Sequence, residues 1–355
     1  MADGSPPRRW RDRALVQLTL ARYREFYREP EAVFWTFIFP LIMAGALGIA
    51  FRSRPPEVVK IGVIARPEAA ATVEGLRQSP LIDLRTFADD SAAARELRTG
   101  KVALVVVPQA SGTVEYRFDD TRAEGASARR LADDALQRAA GRADPVVTTD
   151  ALVREPGSRY IDFLIPGLLG MNLMASSMWG IGFTVVDQRR KKLLKRFVAT
   201  PMRRLHYLGA FVLSRLSLLA VEVGFLVGMG MLVFGVPFRG SVVTLAAVAL
   251  LGSMAFSGMG LLVAARPKTI EAASGLMNLT MLPMWVLSGV FFSSANFPDA
   301  MQPFIKLLPL TAANNALRAT MLEGVSLASL GGELTVLAAW LVVTLALALK
   351  IFRWQ

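Results

Sequence analysis

Apolar residues recur along this chain in six long runs, at 32–51, 163–186, 208–236, 242–265, 272–292 and 334–351. Each is close to or above the roughly 20 residues that a helix needs to cross a hydrocarbon core of ~30 Å. The pattern therefore predicts six transmembrane helices. Pro40, Pro166 and Pro283 fall inside the runs, and proline is tolerated in membrane helices. Arg215 and Glu222 interrupt the third run. Between the first two runs the pattern changes. Residues 58–65 (VVKIGVIA), 81–87, 102–107 (VALVVV) and 114–118 read as strands, and 67–78, 89–99 and 126–140 as helices. Strands alternating with helices predict a small α/β domain with a mixed sheet. The expected fold class is a mainly α membrane protein, six transmembrane helices with an α/β domain inserted between helices one and two.

Ahead of the first run, Leu15, Leu18, Arg22 and Phe26 recur at helical spacing, with further arginines on the other faces. This predicts an amphipathic helix lying in the membrane interface; a solvated helix preceding span one is the alternative. The apolar stretch 14–21 is short and followed by Arg22, Arg24 and Arg28, with no evident small-residue cleavage site, so it does not read as a cleaved signal peptide.

Composition agrees with the spans. The 355 residues are 53% hydrophobic without counting glycine, against ~45–50% for soluble domains with glycine counted. The net charge of +12 admits a nucleic-acid binder or a membrane protein with cationic margins, and its location decides. The N-terminal arm, the segments after spans two and four, and the C-terminus share one side if six spans alternate. Together they hold a net +12, equal to that of the whole chain. In 52–161, 17 basic residues face 16 acidic ones. The positive-inside rule then places both termini in the cytoplasm and the insert outside it, in a multi-pass protein of the cell (inner) membrane. Charges bordering lipid-length runs argue for lipid headgroups or a cytoplasmic partner, and against nucleic acid. The expected division is an amphipathic helix at 1–31, span one at 32–51, the extracytoplasmic α/β domain at 52–161, and spans two to six in 162–355. That last part includes a cytoplasmic loop at 187–207 and an outer re-entrant segment at 293–332.

Soluble enzyme chemistry is sparse. With no cysteine, disulfides, thiolate zinc sites and cysteine nucleophiles are excluded. One histidine, His206, excludes a His–His metal site. Asp119–Asp120 and Asp133–Asp134 are candidate metal ligands, but adjacent acids diverge in a strand or helix, and the reading adopted is solvated surface acids. There is no GxxxxGK[ST] loop, no GxGxxG opening a helix and no HExxH. Work done by this protein must draw on a partner or a gradient. Arg215 and Glu222 are the clear intramembrane charges. Seven residues apart, they share a helix face about 10 Å apart along the axis, which contact spans only if both side chains reach. They read as a pair with a neighbouring helix, or as translocation or gating residues. Met171, Met174, Met178 and Phe183 suit an amphipathic substrate and suit ordinary packing equally.

Two motifs carry more. Residues 188–210 read QRRKKLLKRFVATPMRRLHYLGA, a basic run, Thr200–Pro201 and further basics entering span three. Residues 287–318 read LSGVFFSSANFPDAMQPFIKLLPLTAANNALR, too apolar for a free loop. With the amphipathic start, the large insert and five further spans, they resemble the permease subunits of ABC-2 type ATP-binding-cassette exporters, in the subgroup with a large extracytoplasmic domain between the first two spans. The acidic residue usual in the family's coupling element is replaced here by Gln188 and basics.

The resemblance implies a permease with no ATPase of its own and no bound cofactor, ATP and Mg being held by a separate cytoplasmic subunit. It implies a second permease copy, as homo- or heterodimer, and export of a small amphipathic compound (drug, antibiotic or lipid-like). Contact with the ATPase would fall on Gln188, Arg189, Arg190, Thr200, Pro201, Arg203 and Arg204. The competing readings are a gradient-driven secondary transporter, disfavoured by few buried ionisable groups and no apparent inverted repeat, and a membrane sensor with an extracytoplasmic ligand-binding domain.

Overall fold

The computed structural model describes residues 14–51, 58–110, 113–143, 157–191, 204–267 and 269–351. Two compact units are present, Ser53–Val153 and the remainder of the chain. The remainder opens with α1 (Ala14–Arg28). Next comes α2 (Pro30–Ala50), which carries a π-helical turn at Phe34–Ile38.

The unit Ser53–Val153 follows the order β1 (Val59–Ile64), α3 (Ala69–Arg77), β2 (Ile82–Phe87), α4 (Asp90–Arg98), β3 (Leu104–Pro108), β4 (Val114–Arg117) and α5 (Ala123–Ala139). Its sheet runs β2-β1-β3-β4. Helical crossovers make β1 parallel to β2 and to β3, with Val59 opposite Ile82 and Ile61 opposite Leu104. The short return after β3 makes β4 antiparallel. Helices lie on both faces. Ile61, Val63, Leu104 and Val106 pack with Leu76, Ala128 and Ala132, while Ile64, Val105 and Val107 pack with Ala93 and Leu97. A strand covered on both sides has no polar face, hence the unbroken VALVVV. Asp89 caps α4 by accepting from the Ala92 N–H at 2.7 Å. That bond and the Ser91 hydroxyl hold its carboxyl below the usual range. Three of the four paired acids have protein partners: Asp119 accepts from Thr121, Asp133 from Tyr116, and Asp134 pairs with Arg138.

The membrane unit resumes with α6 (Tyr160–Arg190), α7 (Arg204–Phe234), α8 (Val242–Ala264), α9 (Ile270–Leu287), α10 (Gln302–Leu307), α11 (Pro309–Arg318) and α12 (Gly331–Ile351). With α2, the long members make six helices of spanning length and hydropathy. The most apolar window of α6 is 78% buried, against 17% for α2, so α6 is the mast on which the others lean. Leu164, Leu168, Leu169, Leu173, Met174 and Met178 are enclosed along it. Close approach of α8 depends on Gly260, where a Cβ would stand 2.8 Å from the Met178 carbonyl oxygen. Ser241 and Thr269 cap α8 and α9 through the N–H groups of Val243 and Ala272.

Several boundaries move. Tyr160 and Ile161, read with the insert, begin α6, because the Asp162 carboxylate accepts from the Arg159 backbone N–H at 3.0 Å and from its guanidinium at 2.7 Å, closing the first turn. The apolar run 272–292 is helical only to Leu287; the chain then turns through Gly289, with φ +70°. Helix α12 starts at Gly331, ahead of its apolar run. Met171, Met174 and Met178 are packing residues of the helix core. Phe183 stacks on Trp179 with centroids 4.6 Å apart.

Candidate functional site

Helix α7 brings Arg215 and Glu222 onto one face, and both side chains extend toward each other. Arg215 Nη1 lies 3.4 Å from Glu222 Oε1. Two other helices complete the arrangement. The Ser176 hydroxyl of α6 donates to Glu222 Oε2 at 2.8 Å. Arg215 Nη2 donates to Ser176 at 3.0 Å, to Ser177 at 2.7 Å and to Ser253 of α8 at 3.4 Å. Ser177 and Ser253 share a hydrogen bond of 2.9 Å. The Glu222 carboxylate is 1% exposed and the Arg215 side chain 19%. Serines suit these positions because their small size lets helices approach while a hydroxyl bridges charge. A buried carboxylate with one cation and one hydroxyl is held only while α6, α7 and α8 keep this spacing.

At the other end of the bundle, α11 presents Arg318. Its Nη2 donates to the carbonyls of Gly289 at 2.9 Å and Phe163 at 3.3 Å. Its guanidinium carbon sits 3.7 Å from the Phe163 ring centroid. Burial lowers its pKa to about 10, so it remains cationic at neutral pH. Asn314 Nδ2 donates to the Ser288 carbonyl at 2.8 Å, and the Tyr160 hydroxyl donates to the Phe291 carbonyl at 2.7 Å. These bonds hold the apolar segment after α9 to the starts and ends of the spans.

The opposite margin belongs to α1, which packs along α7 and joins its Tyr23 hydroxyl to that of Ser217. Phe37 of α2 meets Phe26 and Phe225 edge-on, with centroids 6.3 and 5.1 Å apart.

Of the residues expected to meet a cytoplasmic partner, Thr200, Pro201 and Arg203 lie outside the described residues. Gln188 is in the last turn of α6 and Arg204 in the first turn of α7. Arg189 Nη1 donates to the carbonyls of Ala264 and Pro267, at 3.4 and 3.1 Å, and so braces the turn between α8 and α9. Arg190 is exposed. Sequence reasoning missed Ser176, Ser177 and Ser253. Hydroxyls inside apolar runs were the available signal, but only packing shows which of them meet Arg215.

A family model described as ABC-2 family transporter protein matches residues 31–350. A probable multidrug ABC transporter permease of Escherichia coli K12 is 21% identical over 346 residues, covering 88% of this chain and 89% of its own. The linearmycin resistance permease protein of Bacillus subtilis 168 is 24% identical, over 50% of this chain and 46% of its own. ABC transporter G family member 20 of Dictyostelium discoideum is 29% identical over 52% of this chain, which spans only 25% of that protein.

Proposed function

This chain belongs to the ABC-2 transporter family, and from that premise we propose that it is the membrane permease subunit of an ATP-binding-cassette exporter for a small amphipathic compound. The single observation that carries this is the family match across residues 31–350, which includes all but the outermost residues of the six spans. The substrate class rests on relatives named for multidrug and linearmycin resistance.

In this reading a separate cytoplasmic subunit binds ATP and Mg, and two permease copies enclose the path. The charge distribution supports cytoplasmic termini and an extracytoplasmic Ser53–Val153 unit. The ATPase docks against α1 and the basic segment from Gln188 to Arg204, with Arg190, Thr200, Pro201, Arg203 and Arg204 as contacts and Arg189 as a brace behind them. Closure of the ATPase is relayed to α6 and α7, and the Arg215–Glu222 cluster is where their relative movement is gated.

Purification from native membranes in mild detergent tests the reading. A co-purifying partner of the size of one ATP-binding domain, with vanadate-sensitive turnover, is the expected result. A lone chain without turnover, under conditions where control complexes survive, counts against it. The Arg203→Glu/Arg204→Glu double variant is expected to reach the membrane and lose substrate-dependent turnover.

A further inference from the structure

The sheet of the Ser53–Val153 unit has two edges, and their charges are used differently. β4 forms one edge. Its Glu115 and Arg117 pair with each other at 2.9 Å, and the Arg117 guanidinium also lies 3.5 Å from Asp90. Gln109 adds a hydrogen bond to Glu115 at 2.8 Å. β2 forms the other edge. All six of its residues pair in step with β1, without a bulge, and it holds no proline. Among the described residues no strand lies on its far side. Asp83 and Arg85 have the spacing of Glu115 and Arg117, but they do not pair with each other, and both are exposed. Among the described residues Asp83 has no ion-pair partner. Arg85 comes only within 3.7 Å of Glu96, which Lys101 already holds at 3.0 Å.

The ladder fixes which backbone groups of β2 are free. The Val59 N–H donates to the Leu81 carbonyl and the Ala65 N–H to the Phe87 carbonyl, both at 2.8 Å. Alternate residues of a strand face the same neighbour, so residues 81, 83, 85 and 87 turn to β1. The N–H and C=O groups of Leu84 and Thr86 therefore turn to the open edge, with the C=O of Ile82. Such a row is a template for another strand. A second copy, related by a two-fold axis perpendicular to the sheet, presents the same edge running antiparallel. Charge then selects the register. An axis at Asp83 or Arg85 would set that residue against its own like charge, which is destabilising. An axis toward either end would leave part of each strand without a partner. An axis at Leu84 sets Asp83 of each copy opposite Arg85 of the other, in the pairs whose side chains approach closest. The same axis sets Leu84 against Leu84 and Ile82 against Thr86, the residues whose backbone groups face outward.

We propose that two copies of the chain join their Ser53–Val153 sheets edge to edge through β2, on a two-fold axis at Leu84. Asp83 of each copy pairs with Arg85 of the other, and one continuous sheet runs through both units. This deepens the reading of the permease as two copies, and rests on it, by naming a surface that joins them. Charge complementarity commits the edge to a second copy. An unlike partner on the same edge is an outcome of the test.

The chain has no cysteine, so introduced thiols report alone. In this register Asp83 and Arg85 of opposite copies stand about 4.5 Å apart at Cα. Asp83 and its own copy are diagonal neighbours at about 7–8 Å, as are Arg85 and its own, which is beyond disulfide reach. Full-length variants in membranes are treated with copper phenanthroline and run on non-reducing gels. Asp83→Cys/Arg85→Cys is expected to form linked dimer about fivefold or more above either single variant. Leu84→Cys, about 5.5 Å from its copy, is expected to link as well. In the Leu84→Cys chain, Asp83→Arg or Arg85→Asp opposes like charges and should lower the yield about threefold, and Asp83→Arg/Arg85→Asp should restore it. A role of Arg85 confined to Glu96 of its own chain would not be restored by the swap, so an unrestored yield overturns the proposal. Equal linkage of the double and single cysteine variants also overturns it. No linked dimer overturns it in favour of an unlike partner. If Leu84→Cys fails to reach the membrane, Asp83→Cys/Arg85→Cys decides, because both positions are exposed. Linkage needs neither the ATPase nor turnover, so its failure is separable from failure of the co-purification test.

Discussion

Arg215 and Glu222 meet across two turns of one helix, 3.4 Å apart at their closest charged atoms, and both also bond to Ser176 of another helix. Removing one member leaves the other charge enclosed. Glu222→Ala is expected to destabilise by about 3–5 kcal/mol, whereas Arg215→Met/Glu222→Met removes both charges and costs much less. Thermal unfolding in detergent should rank wild type and double variant close together, with the single variant far below. A double variant as unstable as the single one would show that the loss comes from the missing pair itself and not from a charge left enclosed without its partner.

The spans and the insert's strands were legible because their hydrophobic periods are long or regular. The fully covered β3 declared itself as an unbroken apolar run, and the exposed edge of β2 as alternation. The cluster was legible only in part. Arg215 and Glu222 stand out as charges in an apolar run, but seven residues of separation left contact open until the side chains were seen to extend. Ser176, Ser177 and Ser253 carry no distinguishing local signal, since serine is common in membrane helices; their roles come from the packing of α6 on α8. The same holds for Arg318, whose partners are carbonyls, which no sequence pattern marks.

Tyr116 provides a test of the α/β unit by titration. Its pKa is pushed up to about 12 by burial first and then by Asp133, whose carboxylate accepts the phenol proton at 3.1 Å. The folded pKa lies above the ordinary value near 10, so the folded state binds the extra proton between the two. The contribution to stability is full below pH 10 and is lost as pH rises toward 12. Residues 53–153 contain no other tyrosine and no tryptophan. Absorbance at 295 nm of that unit alone therefore reads this one group, and Asp133→Asn should lower its midpoint. A midpoint near 10 in the unaltered unit would contradict the packing.

Arg318 ties the end of α9 to the start of α6 through two carbonyls and the Phe163 ring. Lysine retains the charge and can donate to carbonyls, but it cannot lay a planar guanidinium on the Phe163 ring. Arg318→Lys should therefore speed hydrogen exchange at residues 288–291, though less than Arg318→Met. Both chain states are protonated below about pH 10, so the tie should show no pH dependence between pH 6 and 9. Full protection in Arg318→Lys would reduce the role to charge alone.

The docking of α1 rests on two kinds of contact that separate by mutation. Tyr23→Phe removes the hydrogen bond to Ser217 and keeps the ring, a loss of about 1 kcal/mol. Phe37→Ala removes the ring that meets both Phe26 and Phe225, and a buried Phe→Ala change costs about 3–5 kcal/mol, less here because Phe37 is only partly buried. Hydrogen exchange over residues 14–28 should rise modestly in the first variant and strongly in the second. If α1 transmits ATPase closure to α7, ATP turnover in the purified complex should become insensitive to substrate in Phe37→Ala while the ATPase subunit stays bound. The helix-to-helix contact is then the transmission element and the ATPase contact is not. Undiminished substrate stimulation with a loosened α1 would place the transmission elsewhere, on the basic segment between α6 and α7.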